Sequence, residues 1–204
     1  MTDYFALLNQ PRRPWLDPEA IKQEFLARSA AVHPDRAHHL SDAERDAAQK
    51  QYVELNAAYN CLKNPRERLR TLLQMELGTS PKGIQHIPSN LVDVSMEVGK
   101  VCREADGIVQ EQRGVTSPLL KVKWFERNQA QLDKMRQLQN QIGAQREAAL
   151  GELKEIDARW SPSPHSDSTD HDAQLLQLEE LYRLFSYVDR WLQQMQERMV
   201  ELSV

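Results

Sequence analysis

The chain has 204 residues, of which 40% are hydrophobic and 27% are charged, and its formal net charge is -4. These values are typical of a soluble protein of one or two small domains, and the acidic balance gives no reason to expect nucleic acid as the main partner. No apolar run approaches the roughly 20 residues of a membrane span, and the first residues lack the apolar stretch of a secretory signal. Aromatic residues make up 6% and glycines number 7, which disfavours strands. The composition therefore predicts an all-α protein of the cytoplasm.

The two cysteines, Cys61 and Cys102, lie far apart in unrelated sequence contexts. They can form neither a disulfide framework nor a four-ligand zinc site. We expect both to be buried packing thiols, and the sequence predicts neither a metal site nor a cofactor.

The first part of the chain is expected to form four helices. The segment "DYFALL" is a short helical turn, and the two prolines of "NQPRRPW" end it. Asp17 followed by Pro18 predicts the N-cap and first residue of a second helix, which stops before the next proline. Ser41 and Glu44 have the spacing of a capping box that opens a third helix. The fourth helix, "RERLRTLLQMEL", is expected to end at Gly78.

The tetrapeptide "HPDR", His33 to Arg36, lies between the second and third helices. A catalytic dyad, a pair of metal ligands, a plain turn and a docking loop are all compatible with it. No nucleophile or third orienting group is recognisable near His33 and Asp35, so catalytic residues are not expected. Adjacent His38 and His39 would point to different sides of a helix, which disfavours chelation. A docking loop, in which proline fixes the backbone, is the favoured interpretation.

The remainder of the chain is predicted to be long helix. A glycine- and proline-containing linker, residues 79–88, separates a domain over 1–78 from a helical region over 89–204. Three amphipathic segments there predict an antiparallel three-helix bundle or coiled coil, and the polar residues 160–172 are expected to be a flexible loop. The expected core seams run through Leu91, Val94, Val98, Val101, Ala105 and Ile108, through Phe125, Leu132, Met135, Ile142, Ala149, Leu153, Ile156 and Trp160, and through Leu178, Leu181, Phe185, Val188, Leu192, Met195, Met199 and Leu202.

Residues 3–77 resemble a J-domain. Two helices flank a His-Pro-Asp loop, and the string "NAAYNCLKNP" follows at the right distance. The resemblance implies that the middle helices pair antiparallel and that the loop docks on the ATPase domain of an HscA/DnaK-type chaperone. The chaperone-binding residues would be His33, Pro34 and Asp35, with positive charge from Lys22, Arg28 and Arg36. A solvated helix face is an alternative interpretation for each of these cations.

Apart from the polar loop and the distal coiled coil, the chain resembles more specifically the HscB family of iron-sulfur cluster co-chaperones. The resemblance rests on "DYFALL", on the fourth helix, on "IPSNLVDVSMEVGKVCREAD" and on "LFSYVDRWL". It implies a protein that is not an enzyme, that stimulates the chaperone ATPase and that delivers the scaffold protein IscU to it. Lys100 departs from the family pattern, because an acidic residue is usual there, and Asp93 stands where an apolar residue is usual.

In the helical region over 89–204, the first and the last predicted helix each carry a second apolar stripe that lies off the core seam. Tyr and Trp are typical anchors of protein interfaces, so the two stripes are expected to form one exposed groove that binds the scaffold. The alternative is additional core. In a rival function, the chain is a J-domain fused to a structural coiled coil that targets the chaperone to an unrelated client. This function needs only the core seams and no groove. The predicted scaffold-binding residues are Val92, Met96, Glu97, Glu104, Leu184, Tyr187 and Trp191.

Overall fold

The computed structural model describes residues 2–33, 41–81, 87–113, 117–160 and 168–203. Within these ranges the chain forms seven α-helices and no strand, which confirms the all-α class. None of the described helices combines the length and the apolarity that crossing a bilayer requires. The helices are α1 (Tyr4–Leu7), α2 (Pro18–Ala31), α3 (Asp42–Lys63), α4 (Pro65–Leu77), α5 (Val92–Gln112), α6 (Pro118–Ala158) and α7 (Ser168–Leu202), with a 3-10 turn at Ser89–Leu91.

Three helix ends in the N-terminal region lie where local sequence predicts them. The Asp17 carboxylate accepts a hydrogen bond from the Glu19 N–H and caps α2. Ser41 and Glu44 form both hydrogen bonds of the capping box that opens α3. Gly78 ends α4 with a φ of 69°, a left-handed conformation that glycine adopts without steric cost. These ends are set by side chains within a few residues, which is why they are predictable.

The chain packs as two compact units that do not follow chain order. The first unit contains residues 1–82 and 152–182, and the second contains residues 83–151 and 183–204. The end of α6 and the beginning of α7 thus pack with the N-terminal helices. The division that the sequence predicts, with boundaries at residues 78 and 89, stays a prediction.

The second unit is built by parts of α5, α6 and α7 around one apolar core. Gln131 of α6 donates to the Val101 carbonyl of α5 at 2.9 Å, and Asn128 of α6 donates to the Leu202 carbonyl of α7 at 2.9 Å. Each predicted seam residue of α5 is buried.

The prediction that Phe125 belongs to the core seam of α6 is wrong, because its side chain is 64% exposed. The adjacent Trp124 packs against the core of the second unit instead.

The polar connection between α6 and α7 is shorter than the predicted 160–172. Helix α7 begins at Ser168, and Trp160 is buried with its ring 5.0 Å from that of His171. This ring contact gives the start of α7 an apolar anchor that its polar composition did not suggest. The expected loop can include only residues 161–167, which lie outside the described residues.

Candidate protein-binding surfaces

Aromatic side chains hold α2 and α3 together in antiparallel orientation. The rings of Phe25 and Tyr59 stack with centroids 4.5 Å apart, and the ammonium of Lys63 lies 4.9 Å from the Tyr59 centroid. Near the other end of the pair, the His33 ring meets Tyr52 edge-on at 5.7 Å. Residues late in α2 therefore face residues early in α3, and His33 lies at the end where the connection between the helices begins.

The predicted chaperone-binding cations have partners on their own helix. The Lys22 ammonium lies 3.8 Å from the Glu19 carboxylate, and Arg28 donates to Glu24 at 2.5 Å. Such exposed pairs contribute only about 0.3–0.5 kcal/mol, so both cations can exchange these partners for another protein. Pro34, Asp35 and Arg36 lie outside the described residues, and their geometry stays a prediction.

A buried carboxylate near the end of α6 binds the segment between α1 and α2. Asp157 accepts hydrogen bonds from Arg13 Nε at 2.8 Å and from the Trp15 N–H at 3.1 Å, and Arg13 Nη2 lies 2.7 Å from its other oxygen. The Trp160 indole donates to the Arg12 carbonyl at 3.1 Å. Sequence analysis did not find this cluster, because its partners are separated by more than 140 residues.

A second buried charge, on α4, supports the same segment. Arg68 of α4 is 3% exposed and donates to the Pro14 carbonyl at 2.8 Å and to the Leu62 carbonyl at 2.6 Å. Burial lowers the pKa of Arg68 to about 10, so the guanidinium remains charged at neutral pH. Two buried ionic side chains thus fix the backbone that leads from α1 to α2.

The exposed face of α5 carries the apolar side chains that the sequence analysis assigned to a scaffold groove. Val92 is 41% exposed and Met96 is 70% exposed, on the side of the helix opposite the buried seam. Glu97 is exposed beside them. Glu104 is half-buried and lies 3.3 Å from Lys134 of α6, so its charge is partly neutralised within the bundle.

The part of the predicted groove on α7 is core instead of surface. Tyr187 is 4% and Trp191 is 5% exposed, and their rings lie 5.5 Å apart within the core of the second unit. Leu184 is half-buried against the same core. The expectation that these side chains are exposed in the free protein is wrong. Helix α7 contacts two neighbours, so the apolar sector that it buries is wider than a single seam.

Both cysteines are buried free thiols, as the sequence analysis expected. Cys61 lies 3.1 Å from the Thr71 hydroxyl. Burial raises the pKa of Cys61 and of Cys102 above the ordinary thiol value, which keeps both thiols protonated and unreactive.

Comparison with known proteins defines the class of the N-terminal region. Residues 3–70 match the family model described as the DnaJ domain. The match includes α1 to α3, the His-Pro-Asp loop and part of α4. The chain therefore contains a J-domain, as its motifs predicted.

The more specific resemblance to HscB is also confirmed. The chain is 33% identical over 96 residues to a co-chaperone protein HscB homolog of Chromobacterium violaceum, a match that covers 47% of this chain and 55% of the relative. It is 40% identical over 72 residues to the HscB homolog of Bordetella pertussis, which covers 35% of this chain and 42% of the relative. The matches thus span about half the length of these curated relatives.

Solved structures of HscB share the fold along nearly the whole chain. The chaperone HscB from Vibrio cholerae superposes with a TM-score of 0.61 at 16% identity, over 98% of this chain and 99% of that one. The human co-chaperone protein HscB superposes with a TM-score of 0.58 at 17% identity, over 95% and 84%. At these identities the likeness establishes the architecture, a J-domain followed by a helical bundle.

Proposed function

We propose that this protein is a cytoplasmic HscB-type co-chaperone that stimulates the ATPase of an HscA/DnaK-type chaperone and delivers an IscU-type scaffold protein to it. The observation that carries the proposal is the pairing, in one chain, of a DnaJ domain with a helical bundle whose α5 exposes Val92 and Met96. The co-chaperone performs no covalent chemistry. It brings two proteins together and favours the hydrolysing state of one of them.

The chaperone would be bound at the end of the α2–α3 pair. The contact of His33 with Tyr52 restricts the imidazole before binding, which lowers the entropic cost of docking. Pro34 fixes its own backbone angle, and Asp35 and Arg36 add charge. Lys22 and Arg28 would act mainly on the association rate, as charges at the rim of an interface do.

The scaffold would be bound on α5. Met96 is an adaptable apolar anchor, Val92 extends the apolar contact, and the exposed Glu97 offers charge at its edge. Glu104 would contribute less, because Lys134 already lies beside it.

The α7 residues that were expected to line the groove would instead support the α5 surface from the core. Tyr187 and Trp191 share a core with the inner side chains of α5, and Leu184 packs against that core. They would position α5 without touching the scaffold.

The burial of Tyr187 and Trp191 also favours a second candidate function. A J-domain on a structural coiled coil needs only the buried seams. Tyr187 and Trp191, which were expected to line the groove, belong to the buried core. In that case the chain would target the chaperone to a client unrelated to IscU, and the scaffold would not bind.

A reconstituted ATPase assay tests the proposal. The chaperone's hydrolysis rate is measured with this protein, with and without IscU, and with variants His33→Gln and Asp35→Asn. We expect both variants to abolish stimulation while their melting curves match the wild type, because loop side chains contribute little to folding. Lys22→Gln is the matched surface control, with stimulation reduced but retained.

The two arms of the proposal fail separately. Full stimulation by either loop variant removes the chaperone-binding role of the loop. Normal stimulation without detectable IscU binding in a titration leaves the J-domain function standing and favours the coiled-coil tether.

A further inference from the structure

Most acidic residues along α5 are neutralised by the bundle itself. Glu111 lies 2.6 Å from Arg127 of α6, and Asp106 lies 2.9 Å from Arg198 of α7. Together with the pair formed by Glu104, these contacts remove much of the negative field that the sequence of α5 suggests. The charge that α5 offers to a partner therefore comes from its charged side chains that do not pair with α6 or α7.

Four exposed charged residues of α5 have no ion partner within the described part of the chain: Asp93, Glu97, Lys100 and Arg103. The two acids lie toward the N-terminal half of the helix and the two cations follow them. The exposed face is thus divided by sign. It is not the uniformly acidic surface that would match a basic partner.

The guanidinium of Arg103 lies beside Gly99 of the same helix. Its Nη1 is 3.3 Å from the position that a β-carbon on Gly99 would occupy, so the side chain reaches back over the glycine toward the N-terminus. Val92, Met96, Gly99 and Arg103 follow one another at four-, three- and four-residue steps, which places them in one stripe of the helix. A glycine at this position lets the cation lie against the backbone, one turn from Met96.

We propose that the scaffold surface that binds α5 carries a carboxylate beside the apolar pocket for Met96, and that this carboxylate pairs with Arg103, with Lys100 as a second cation. The inference rests on the proposed scaffold-binding function of α5 and specifies the chemistry of the partner. A planar guanidinium beside Gly99 suits a carboxylate, because its donors can bind both carboxylate oxygens at once. Asp93 and Glu97 would face basic groups on the same partner.

The structure changes the expected effect of Lys100. From the sequence alone, Lys100 is a lone cation among acids that would weaken attraction to a basic scaffold, and Lys100→Glu would be expected to tighten binding. Because Arg103 lies on the same exposed face and Glu104 is occupied by Lys134, Lys100 belongs to a cationic half instead. Lys100→Glu should therefore weaken binding.

Titration of an IscU-type scaffold with charge-reversal variants tests the inference. At about 0.05 M salt we expect Arg103→Glu to weaken binding by roughly tenfold or more, since like charges at an interface are repulsive. Arg103→Gln should lie between this variant and the wild type. The differences should narrow at about 0.5 M salt, where surface charges are screened. Lys123→Glu, an equal change of charge at an exposed position of α6, is the matched control and should bind like the wild type.

The outcomes separate this inference from the proposed function. If Met96→Ala weakens binding while Arg103→Glu binds as well as or better than the wild type, the proposed scaffold carboxylate opposite Arg103 is refuted, and the proposal that α5 binds the scaffold is retained. A wild-type chain that does not bind the scaffold overturns both. Weakening by Lys123→Glu equal to that by Arg103→Glu would show a general charge effect and would also overturn the inference. Melting curves that match the wild type exclude unfolding of a variant as the cause of weaker binding.

Discussion

Replacing Asp157 by Ala should destabilise the protein more than any other single change of an acidic residue on α6. The Asp157 side chain is 8% exposed, whereas that of its partner Arg13 is 40% exposed. Truncation removes the ion pair and two hydrogen bonds, those from Arg13 Nε and from the Trp15 N–H. It therefore weakens the attachment of the segment between α1 and α2 to α6, of which the hydrogen bond from Arg13 to the Asp157 carbonyl remains.

The magnitude follows from the exposure of the groups that are left behind. Breaking a buried ion pair costs about 3–5 kcal/mol when the surviving charge stays buried. Arg13 can instead return to water, so we expect a loss of about 2–3 kcal/mol in the free energy of unfolding, near the value of hydrogen bonds to charged groups. For a chain of this size that corresponds to a fall of about 4–12 °C in Tm. Asp157→Asn keeps the acceptor for the Trp15 N–H and should lose about half as much.

Circular dichroism melts and urea titrations measure the change, with Asp133→Ala as control. Asp133 is on the same helix, but its side chain is 71% exposed and its pair with Arg136 is local, so its loss should cost less than about 0.5 kcal/mol. Equal stability of the Asp157→Ala and Asp133→Ala proteins would show that the cluster around Asp157 does not hold the N-terminal segment.

Two further predictions concern the α5–α7 region and a helix cap. Tyr187→Ala should lower the free energy of unfolding by about 3–5 kcal/mol, as truncation of a buried aromatic does. Met96→Ala should change stability by less than about 0.5 kcal/mol yet cost about 1–3 kcal/mol in scaffold binding; melts and titrations of both variants check this, and the opposite pattern would contradict the burial described above. Hydrogen bonds donated by Ser41 lower the pKa of Glu44, so the capping box stabilises the fold above the ordinary Glu value of 4.5, and this contribution is lost as pH falls through the lower folded pKa. Ser41→Ala should therefore reduce the dependence of Tm on pH in the acid range, and an unchanged profile would show that the box does not contribute.

The sequence by itself determined the existence of the helices, and in the N-terminal region it also determined their ends and the class of the domain. Caps such as Asp17, the Ser41–Glu44 box and Gly78 act within a few residues, and apolar seams repeat with the period of the helix. Both signals are local, so they can be interpreted without knowing which helices pack against each other. The His-Pro-Asp loop and the string "NAAYNCLKNP" likewise carry their meaning in one short stretch of chain.

Only the tertiary structure decided which surfaces remain for partners. Tyr187 and Trp191 lie off the seam yet are buried, because α7 has two neighbours. Conversely, Phe125 continues the heptad but is exposed, and the adjacent Trp124 packs against the core instead. Glu104 is paired with Lys134, 30 residues away, and Asp157 with Arg13, 144 residues away. Periodicity specifies the faces of a helix but not how many of them are covered, and a charge pattern does not reveal which charges are paired, since both depend on contacts between distant parts of the chain.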